Sequence, residues 1–274
     1  MSSVKAYLQL ARWPNALLAA FAVLAASQVG HVEGEFIPDP VLGAMLAALC
    51  LTVTANSSND AADSEIDRVA HPERPIPRGA FQVKEARAIA LSAALGGEIF
   101  ATLASMWLGI ISVFAIALMF VYSWRIKRYG VAGNITVAVL ASLPFLYGAW
   151  AVHAYFVGLL LAGLAAPLHF AREIAKDIED MDADATAGRR TIPIVLGAPG
   201  ARRVILVTLL IYAVACIVLF HAEWKAFVVF APALLLFGWG AWRVTRAMAG
   251  ASRIFKAGML VATVILFFVI RPIY

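Results

Sequence analysis

The sequence predicts an all-α membrane protein, a polytopic bundle of nine transmembrane helices, on three observations. The 274-residue chain is 62% hydrophobic, and its mean hydropathy is +0.84. Only 14% of its residues are charged, whereas a soluble domain carries about 25%. Apolar stretches long enough to cross a bilayer recur along the whole chain. We therefore expect a single membrane domain over residues 1–274.

Nine apolar stretches qualify as spans. They cover residues 14–30, 40–58, 86–104, 106–124, 134–152, 155–172, 203–221, 225–243 and 255–273. The first leads into Gln28 and His31 without the small-residue cleavage site of a secretory signal, so we expect it to remain as a helix. Cys50 and Cys216 fall within spans and are expected to pack as small hydrophobic residues.

The basic residues are distributed unevenly between the predicted loops. If the N-terminus is cytoplasmic, all but two of the 22 Lys and Arg lie in cytoplasmic segments, and the outer loops keep only Lys225 and Arg271. This asymmetry follows the positive-inside rule. It predicts a multi-pass protein of the cell membrane with the N-terminus in the cytoplasm and the C-terminus outside. The net charge of +5 is thereby explained by topology and does not indicate a nucleic-acid partner.

The acidic residues concentrate in two short windows. Ten of the 17 Asp and Glu fall within residues 59–67 and 173–184. Both windows carry aspartates in the spacing D-x-x-D-x-x-x-D, and each is followed by an arginine and a proline, at residues 74–77 and 190–193. Both windows lie on the predicted cytoplasmic side.

Helical projection at about 100° per residue places the acids of each window on one face. The first face holds Asn56, Asn59, Asp60, Asp63 and Asp67. The second face holds Glu173, Lys176, Asp177, Asp180 and Asp184. The projection turns Glu65, Glu179 and Asp182 away.

Stacked carboxylates repel one another unless a cation is present. Oxygen-only ligands suit Mg²⁺ or Ca²⁺, and Mg²⁺ takes further ligands from water and substrate phosphates. Two such faces opposite each other are predicted to hold Mg²⁺ ions around a diphosphate. Lys127 and Arg128 end the fourth span on the same side, and Arg68 and Arg74 follow the first window, so they are candidate phosphate donors. Glu98 is an acid within the third span, and the sequence names no partner for it.

These motifs resemble the UbiA-type intramembrane prenyltransferases nearly end to end. The family motif NDxxDxxxD stands at residues 59–67, and DxxDxxxD stands at 177–184. Residues 12–15 are similar to the family's R-P-x-N motif, and 122–134 to its Y-S…K-R…G-N segment. Two departures are Ala61, where many members have an aromatic residue, and residues 182–184, where E-G-D is usual.

The resemblance implies nine helices around a central cavity, a Mg²⁺ cofactor, a polyprenyl diphosphate donor and a site that includes most of these motif residues. The implied metal ligands are Asn59, Asp60, Asp63, Asp67, Asp177, Asp180 and Asp184. The implied substrate contacts are Arg12, Asn15, Asn56, Arg68, Arg74, Tyr122, Ser123, Lys127, Arg128, Asn134, Arg172 and Lys176. Lys127 and Asp177 are the implied catalytic residues.

The stretch Arg-Glu-Ile-Ala-Lys-Asp-Ile-Glu-Asp at residues 172–180 is similar to the ether-lipid branch of the family. That likeness implies transfer of a geranylgeranyl group to the hydroxyl of geranylgeranylglyceryl phosphate, a lipid acceptor whose phosphate would contact Arg12, Arg172 or Lys176. An aromatic or ring acceptor, such as a quinone, tocopherol or chlorophyll precursor, is the alternative. A divalent-cation transporter is a more distant one. The sequence predicts no oligomeric state.

Overall fold

The computed structural model describes residues 3–28, 39–221 and 223–269, which form α-helices, one short 3₁₀ helix at Ile126–Arg128 and the turns between them. The first six α-helices are α1 Ser3–Leu10, α2 Trp13–Ser27, α3 Asp39–Ala62, α4 Ser64–Ala70, α5 Val83–Ala104 and α6 Met106–Trp124. The remaining six are α7 Gly130–Ala151, α8 Tyr155–Glu179, α9 Met181–Thr186, α10 Ile192–Phe220, α11 Trp224–Thr245 and α12 Ala251–Val269.

The structure confirms the prediction of an all-α, multi-pass membrane protein. In the described part of the chain, 8 helices are long and apolar enough to cross a membrane, and α1 with α2, bent by 59°, make a ninth if counted as one span. The main differences from the predicted bounds are that α8 continues to Glu179 and that α10 begins at Ile192, with a kink at Gly197, whose φ of 68° and ψ of 160° are not helical. Residues 29–30 and 270–273 of the predicted spans, together with the C-terminus, lie outside the described residues.

The chain divides into two compact units. Unit 1 takes residues 1–126, 143–158 and 272–274, and unit 2 takes residues 127–142 and 159–271. The first acidic window therefore belongs to unit 1, and the second belongs to unit 2.

In unit 1, α3 packs closely against α5 through small residues. A Cβ on Gly43 would lie 3.1 Å from Cβ of Ala104, and a Cβ on Gly97 would lie 3.1 Å from Cδ2 of Leu51. Van der Waals contact between closely approaching backbones is what holds helices together in lipid, where water supplies no hydrophobic driving force.

Glu98 finds its partners on the same helix and on the next one. The Thr102 hydroxyl donates to Oε1 of Glu98 at 3.0 Å. The Ser112 hydroxyl on α6, which is fully buried, donates to Oε2. The acid thus joins α5 to α6 inside the apolar layer, where an unpartnered carboxylate is costly.

In unit 2, buried apolar residues of α8, α10, α11 and α12 form the core, among them Ile174, Ile205 and Phe255. Where α11 and α12 meet, a phenyl ring of each helix packs against a glycine of the other. A Cβ on Gly240 would lie 2.5 Å from the Phe255 ring, and one on Gly258 would lie 2.7 Å from the Phe237 ring. The core holds the C-terminal half of α8, which carries the start of the second acidic window.

Candidate active site

The first acidic window lies at a break between two helices. Helix α3 ends at Ala62, and α4 begins at Ser64. Asp63 between them has φ −93° and ψ 3°, in a sparsely populated backbone region where many active-site residues occur. Its carboxylate does not cap α4. The backbone bonds from Asp63 N to Asn59 O (2.9 Å) and from Asp67 N to Asp63 O (2.8 Å) still follow the helical pattern.

The aspartates of this window are buried together. Asp60, Asp63 and Asp67 are 3%, 5% and 4% exposed, whereas Glu65 is exposed. The helical projection placed the three aspartates on one face and turned Glu65 away from it, which agrees with this difference in burial. The continuous helix that the projection assumed is wrong, because α3 ends one residue before Asp63.

Two arginines neutralise the buried charge of the first window. Arg74 donates to Oδ2 of Asp67 at 2.6 Å and lies 3.9 Å from Oδ1 of Asp60. Arg12 donates to Oδ1 of Asp60 at 2.6 Å. Buried carboxylates need such partners, because an isolated ion would shift its pKa and become neutral.

Arg12 lies at the bend between α1 and α2 and adopts the left-handed conformation, with φ 47° and ψ 53°. Helix α3 supports this bend twice, since Asp60 binds the Arg12 guanidinium and the Asn56 amide donates to the Ala11 carbonyl at 3.1 Å. Asn56 and Asp60 were predicted as substrate and metal contacts. In the structure both also hold the first span against α3.

The second window repeats the break. Helix α8 ends at Glu179, and α9 begins at Met181. Asp180 has φ −100° and ψ 9°, and it does not cap α9. Its amide bonds to Lys176 O at 2.9 Å, and Asp184 N bonds to Asp180 O at 3.0 Å. The two windows therefore share backbone geometry as well as residue spacing.

The third aspartate of the second window, Asp184, also accepts a hydrogen bond from an arginine. Asp184 is buried, and Arg189 donates to its Oδ1 at 2.9 Å. Arg189 thus matches Arg74 of the first window. The sequence pattern paired Arg74 with Arg190 instead, since Arg190 precedes the Ile-Pro pair.

Arg190 makes two hydrogen bonds through its backbone amide and carbonyl groups. Its amide bonds to the carbonyl of Arg128 at 3.2 Å, and its carbonyl accepts from Gly130 N at 2.9 Å. This bridge ties the segment of Lys127 and Arg128 to the loop after the second window. Asn134, one turn into α7, donates to Oδ2 of Asp177 at 2.9 Å. Unit 2 thereby joins two predicted motifs that lie about fifty residues apart in the sequence.

Burial and the bound arginine shift the pKa of the third aspartate of each window, Asp67 and Asp184, in opposite directions. Burial raises the pKa of Asp67, and Arg74 acts to lower it. Burial likewise raises the pKa of Asp184, and Arg189 acts to lower it. The larger effect is burial in both cases, so both carboxyl pKa values are raised, and each arginine limits the rise.

The oxygen donors of both windows fit a hard divalent cation. Oδ1 of Asn59 is buried without a hydrogen-bond partner among the described residues, as expected for an oxygen placed to bind an ion. Within the described ranges, no group of three Asp, Glu, His or Cys side chains could hold a metal ion. The arrangement therefore suits Mg²⁺, which takes few carboxylates and completes its coordination with water and phosphate oxygens.

The remaining predicted contacts are spread over both units. Ser123 is buried, and its hydroxyl lies 3.1 Å from that of Ser58 and donates to Met119 O. Arg68 and Arg128 are exposed, whereas Lys127 is half-buried. Asn15 and Tyr122 are also half-buried. Their roles in binding substrate stay predictions.

The contacts of two residues near the second window, Arg189 and Glu179, were not predicted from the sequence. Spacing did not indicate Arg189, because Arg190 follows Asp184 by six residues and so lies nearer to the seven-residue spacing between Asp67 and Arg74. Glu179 was correctly turned away from the other acids. Its oxygens accept hydrogen bonds from the Ser252 hydroxyl (2.7 Å) and from the amides of Gly250 (3.0 Å) and Ser252 (3.2 Å) at the start of α12. No sequence pattern indicated that partner.

A comparison with known protein families identifies the family of this chain. The model of the UbiA prenyltransferase family matches residues 16–268. The chain belongs to this family. A digeranylgeranylglyceryl phosphate synthase of Methanoculleus marisnigri is 38% identical over 199 residues, which are 71% of this chain and 70% of that protein. One of Halobacterium salinarum is 33% identical over 266 residues and 96% of each chain.

Solved family structures have the same fold. A structure of a digeranylgeranylglyceryl phosphate synthase superposes with a TM-score of 0.79 at 22% identity and covers 99% of each chain. A UbiA homologue from Archaeoglobus fulgidus, bound to GPP and Mg²⁺, superposes with a TM-score of 0.77 at 19% identity over 97% of this chain and 99% of that one. Because the chain belongs to this family, it is a prenyltransferase and not the divalent-cation transporter that was the distant alternative.

Proposed function

We propose that this prenyltransferase transfers a geranylgeranyl group from its diphosphate to the free hydroxyl of geranylgeranylglyceryl phosphate. The observation that carries the proposal is the pair of matched helix breaks, at Asp63 and Asp180, each with an arginine on its third aspartate. Such paired oxygen sites are suited to a metal-bound diphosphate. The choice of acceptor is supported by the likeness to the two synthases and by the stretch at residues 172–180.

The reaction replaces one C–O bond by another. The bond between C1 of the geranylgeranyl group and the diphosphate oxygen breaks, and the diphosphate leaves with the electron pair. An ether bond forms between C1 and the acceptor hydroxyl oxygen, and the hydroxyl proton is released to solvent or to a base. An apolar enclosure favours this step over hydrolysis, because water would compete for the electron-deficient carbon.

Bound Mg²⁺ would neutralise the diphosphate and stabilise it as a leaving group. Asn59, Asp63 and Asp67 in unit 1, and Asp177, Asp180 and Asp184 in unit 2, are the proposed ligands, with Asp60 as a further oxygen. That both windows serve a single diphosphate stays a prediction of the sequence analysis.

Basic side chains have two roles in the proposal. Arg74 and Arg189 keep the third aspartates ionised, as their hydrogen bonds indicate. Lys127 is the proposed catalytic cation, since positive charge fixed beside the leaving group stabilises the negative charge that develops there. Asn134 orients Asp177 by donating to its Oδ2.

The proposed location is the cell membrane, with both acidic windows and the N-terminus in the cytoplasm. The distribution of Lys and Arg supports this orientation. The geranylgeranyl chain would then enter from the lipid phase, and the diphosphate would be drawn from the cytoplasmic surface.

Purified protein supplied with geranylgeranyl diphosphate, geranylgeranylglyceryl phosphate and Mg²⁺ should form the diether phosphate, detected by mass spectrometry. Asp63→Ala and Asp180→Ala should each abolish turnover while the melting temperature in detergent stays near that of the wild type. Asp182→Ala, which removes an exposed acid of the same stretch, should leave turnover unchanged. Full activity of either of the first two variants would contradict the metal assignment.

A panel of acceptors tests the choice of substrate. The alternative predicts prenylated product with a quinone, tocopherol or chlorophyll precursor and none with geranylgeranylglyceryl phosphate. That result would overturn the acceptor and keep the prenyltransferase.

A further inference from the structure

Arg172 is a cation inside an apolar helix with part of its hydrogen-bonding capacity unused. It lies on α8 within a span of mean hydropathy 1.4. One of its terminal nitrogens donates to the neighbouring Glu173. Its Nε is buried and meets no acceptor in the described part of the chain. A buried cationic donor without an acceptor is costly, so an arginine in this state points to an anion that completes it.

The neighbours of Arg172 favour an anion from outside the protein. Lys176 follows Arg172 by four residues on α8, so the two cations share one strip of the helix. Like charges at this spacing destabilise a helix unless an anion lies between them. Glu173 pairs with one terminal nitrogen of Arg172 and so fixes the guanidinium in place.

Resting on the proposed function, we propose that Arg172, assisted by Lys176, binds the phosphate monoester of the lipid acceptor. Both side chains belong to unit 2; Arg172 directly precedes the second acidic window, and Lys176 lies within it. Arg172 has the planar fork that suits phosphate oxygens, and Lys176 supplies a second, mobile donor.

The position of Arg172 on α8 favours the acceptor phosphate over the diphosphate of the donor. Arg172 precedes Asp177 by five residues, a rise of about 7.5 Å at 1.5 Å per residue. In the acceptor, the reacting hydroxyl oxygen and the phosphorus are separated by four bonds of about 1.5 Å each. A phosphate held about one turn away from the metal ligands therefore leaves room for the glycerol carbons between it and the reacting carbon.

The third cation named for this phosphate, Arg12, is engaged elsewhere, since it donates to Asp60 at 2.6 Å in unit 1. Arg189, a further arginine of unit 2, donates to Asp184 at 2.9 Å. Among the described residues, Arg172 pairs only with its own neighbour in sequence, and its Nε is left for a ligand.

The test compares two acceptors in the full-length enzyme. One is geranylgeranylglyceryl phosphate, and the other is the same lipid without its phosphate. Arg172→Gln should raise the KM for the phosphorylated acceptor about tenfold or more, as expected for loss of hydrogen bonds to a charged group. The KM for the dephosphorylated acceptor and the KM for geranylgeranyl diphosphate should stay at the wild-type values. Arg172→Lys should restore part of the difference.

Arg253→Gln is the matched control, because Arg253 is an exposed arginine in the first turn of α12 in the same unit. It should change none of the three KM values. An equal loss with both acceptors, or a higher KM for the donor, would overturn the assignment to the acceptor phosphate.

Binding of glycerol phosphate tests the role of Arg172 and Lys176 without requiring turnover. Titrated into the purified enzyme by calorimetry, it should bind the wild type and the Arg253→Gln variant, and lose affinity in Lys176→Gln and Arg172→Gln. If Arg172→Gln fails to fold, the Lys176→Gln variant carries both measurements, and unchanged values there contradict the proposal. Failure of the proposed function looks different: the wild type would use neither glycerol lipid and would prenylate a ring acceptor.

Discussion

Asp67 and Asp184 are buried carboxylates that each accept a hydrogen bond from one arginine. Burial raises both pKa values, and the arginine acts to lower each. Protons and Mg²⁺ compete for the same oxygens, so metal affinity is lost as the pH falls through the raised pKa. We therefore expect the two arginines to influence the lower pH limit of activity.

Arg74→Ala should raise the pKa of Asp67 further. The acid limb of the pH–rate profile should move to higher pH, and the half-saturating Mg²⁺ concentration should rise about tenfold near that limb, the loss expected for one charged hydrogen bond. Arg87→Ala, which removes an exposed arginine of α5, should leave both unchanged. A profile identical to that of the wild type would exclude the role given to Arg74.

Arg189→Ala should have the corresponding effect through Asp184. Restoration of the wild-type profile by Arg189→Lys, but not by Arg189→Gln, would show that the charge is what matters. If Arg190→Ala gave the larger shift, the pairing seen in the structure would not be the one used in catalysis.

Helix ends and helix pairs depend on single polar contacts. The C-terminal end of α8 is held to the start of α12 by Glu179, whose carboxylate accepts from Gly250 and Ser252. A carboxylate at a helix N-terminus is favourable, because it satisfies free amides and the helix dipole. Asp180 follows at once, so this contact positions the second window.

Glu179→Ala should lower stability by about 1 kcal/mol, because Glu179 is exposed and its hydrogen bonds are at most part-buried. It should also raise the half-saturating Mg²⁺ concentration. Ser252→Ala removes only one of the three bonds and should give a smaller change in both. A normal response to Mg²⁺ with reduced stability would limit Glu179 to a structural role.

The pair α5–α6 offers a second test at this scale. Glu98→Ala removes the carboxylate that joins α5 to α6, so the melting temperature in detergent should fall. The Ser112 hydroxyl keeps the Gly109 carbonyl as an acceptor at 2.9 Å, so the cost is about 1 kcal/mol, that of one hydrogen bond. Glu98→Gln keeps an acceptor and should fall less. Equal losses in the two variants would show that the negative charge, rather than the hydrogen bond, is required.

For the whole molecule, the orientation in the membrane can be tested directly. Thr186 lies in α9, near the start of α10, and His221 lies just beyond its other end. In a background with Cys50 and Cys216 replaced by Ala, a cysteine at Thr186 should react with a membrane-impermeant reagent only after the cytoplasmic side is opened. A cysteine at His221 should react in intact cells. The opposite result would invert the proposed topology.

Much of the fold could be predicted because the bilayer imposes strict local rules. A span needs about twenty apolar residues, and loop charges set its side. The residues of α6 were predicted from Met106 to Trp124 without error. The bend at Arg12 and the breaks at Asp63 and Asp180 could not be predicted, because helical projection assumes a continuous helix and the spacing of the residues does not mark where it is interrupted.

The sequence by itself determined the membrane class, the spans and the two Asp-rich windows, since these depend on composition and spacing along the chain. Only the tertiary structure decided that both windows break at Asp63 and Asp180, that Arg189 rather than Arg190 binds Asp184, and that Glu179 and Glu98 have partners on other helices. The physical reason is that a carboxylate accepts from whichever donor the packing brings within about 3 Å. That donor can lie five residues away, as for Asp184, or more than seventy, as for Glu179.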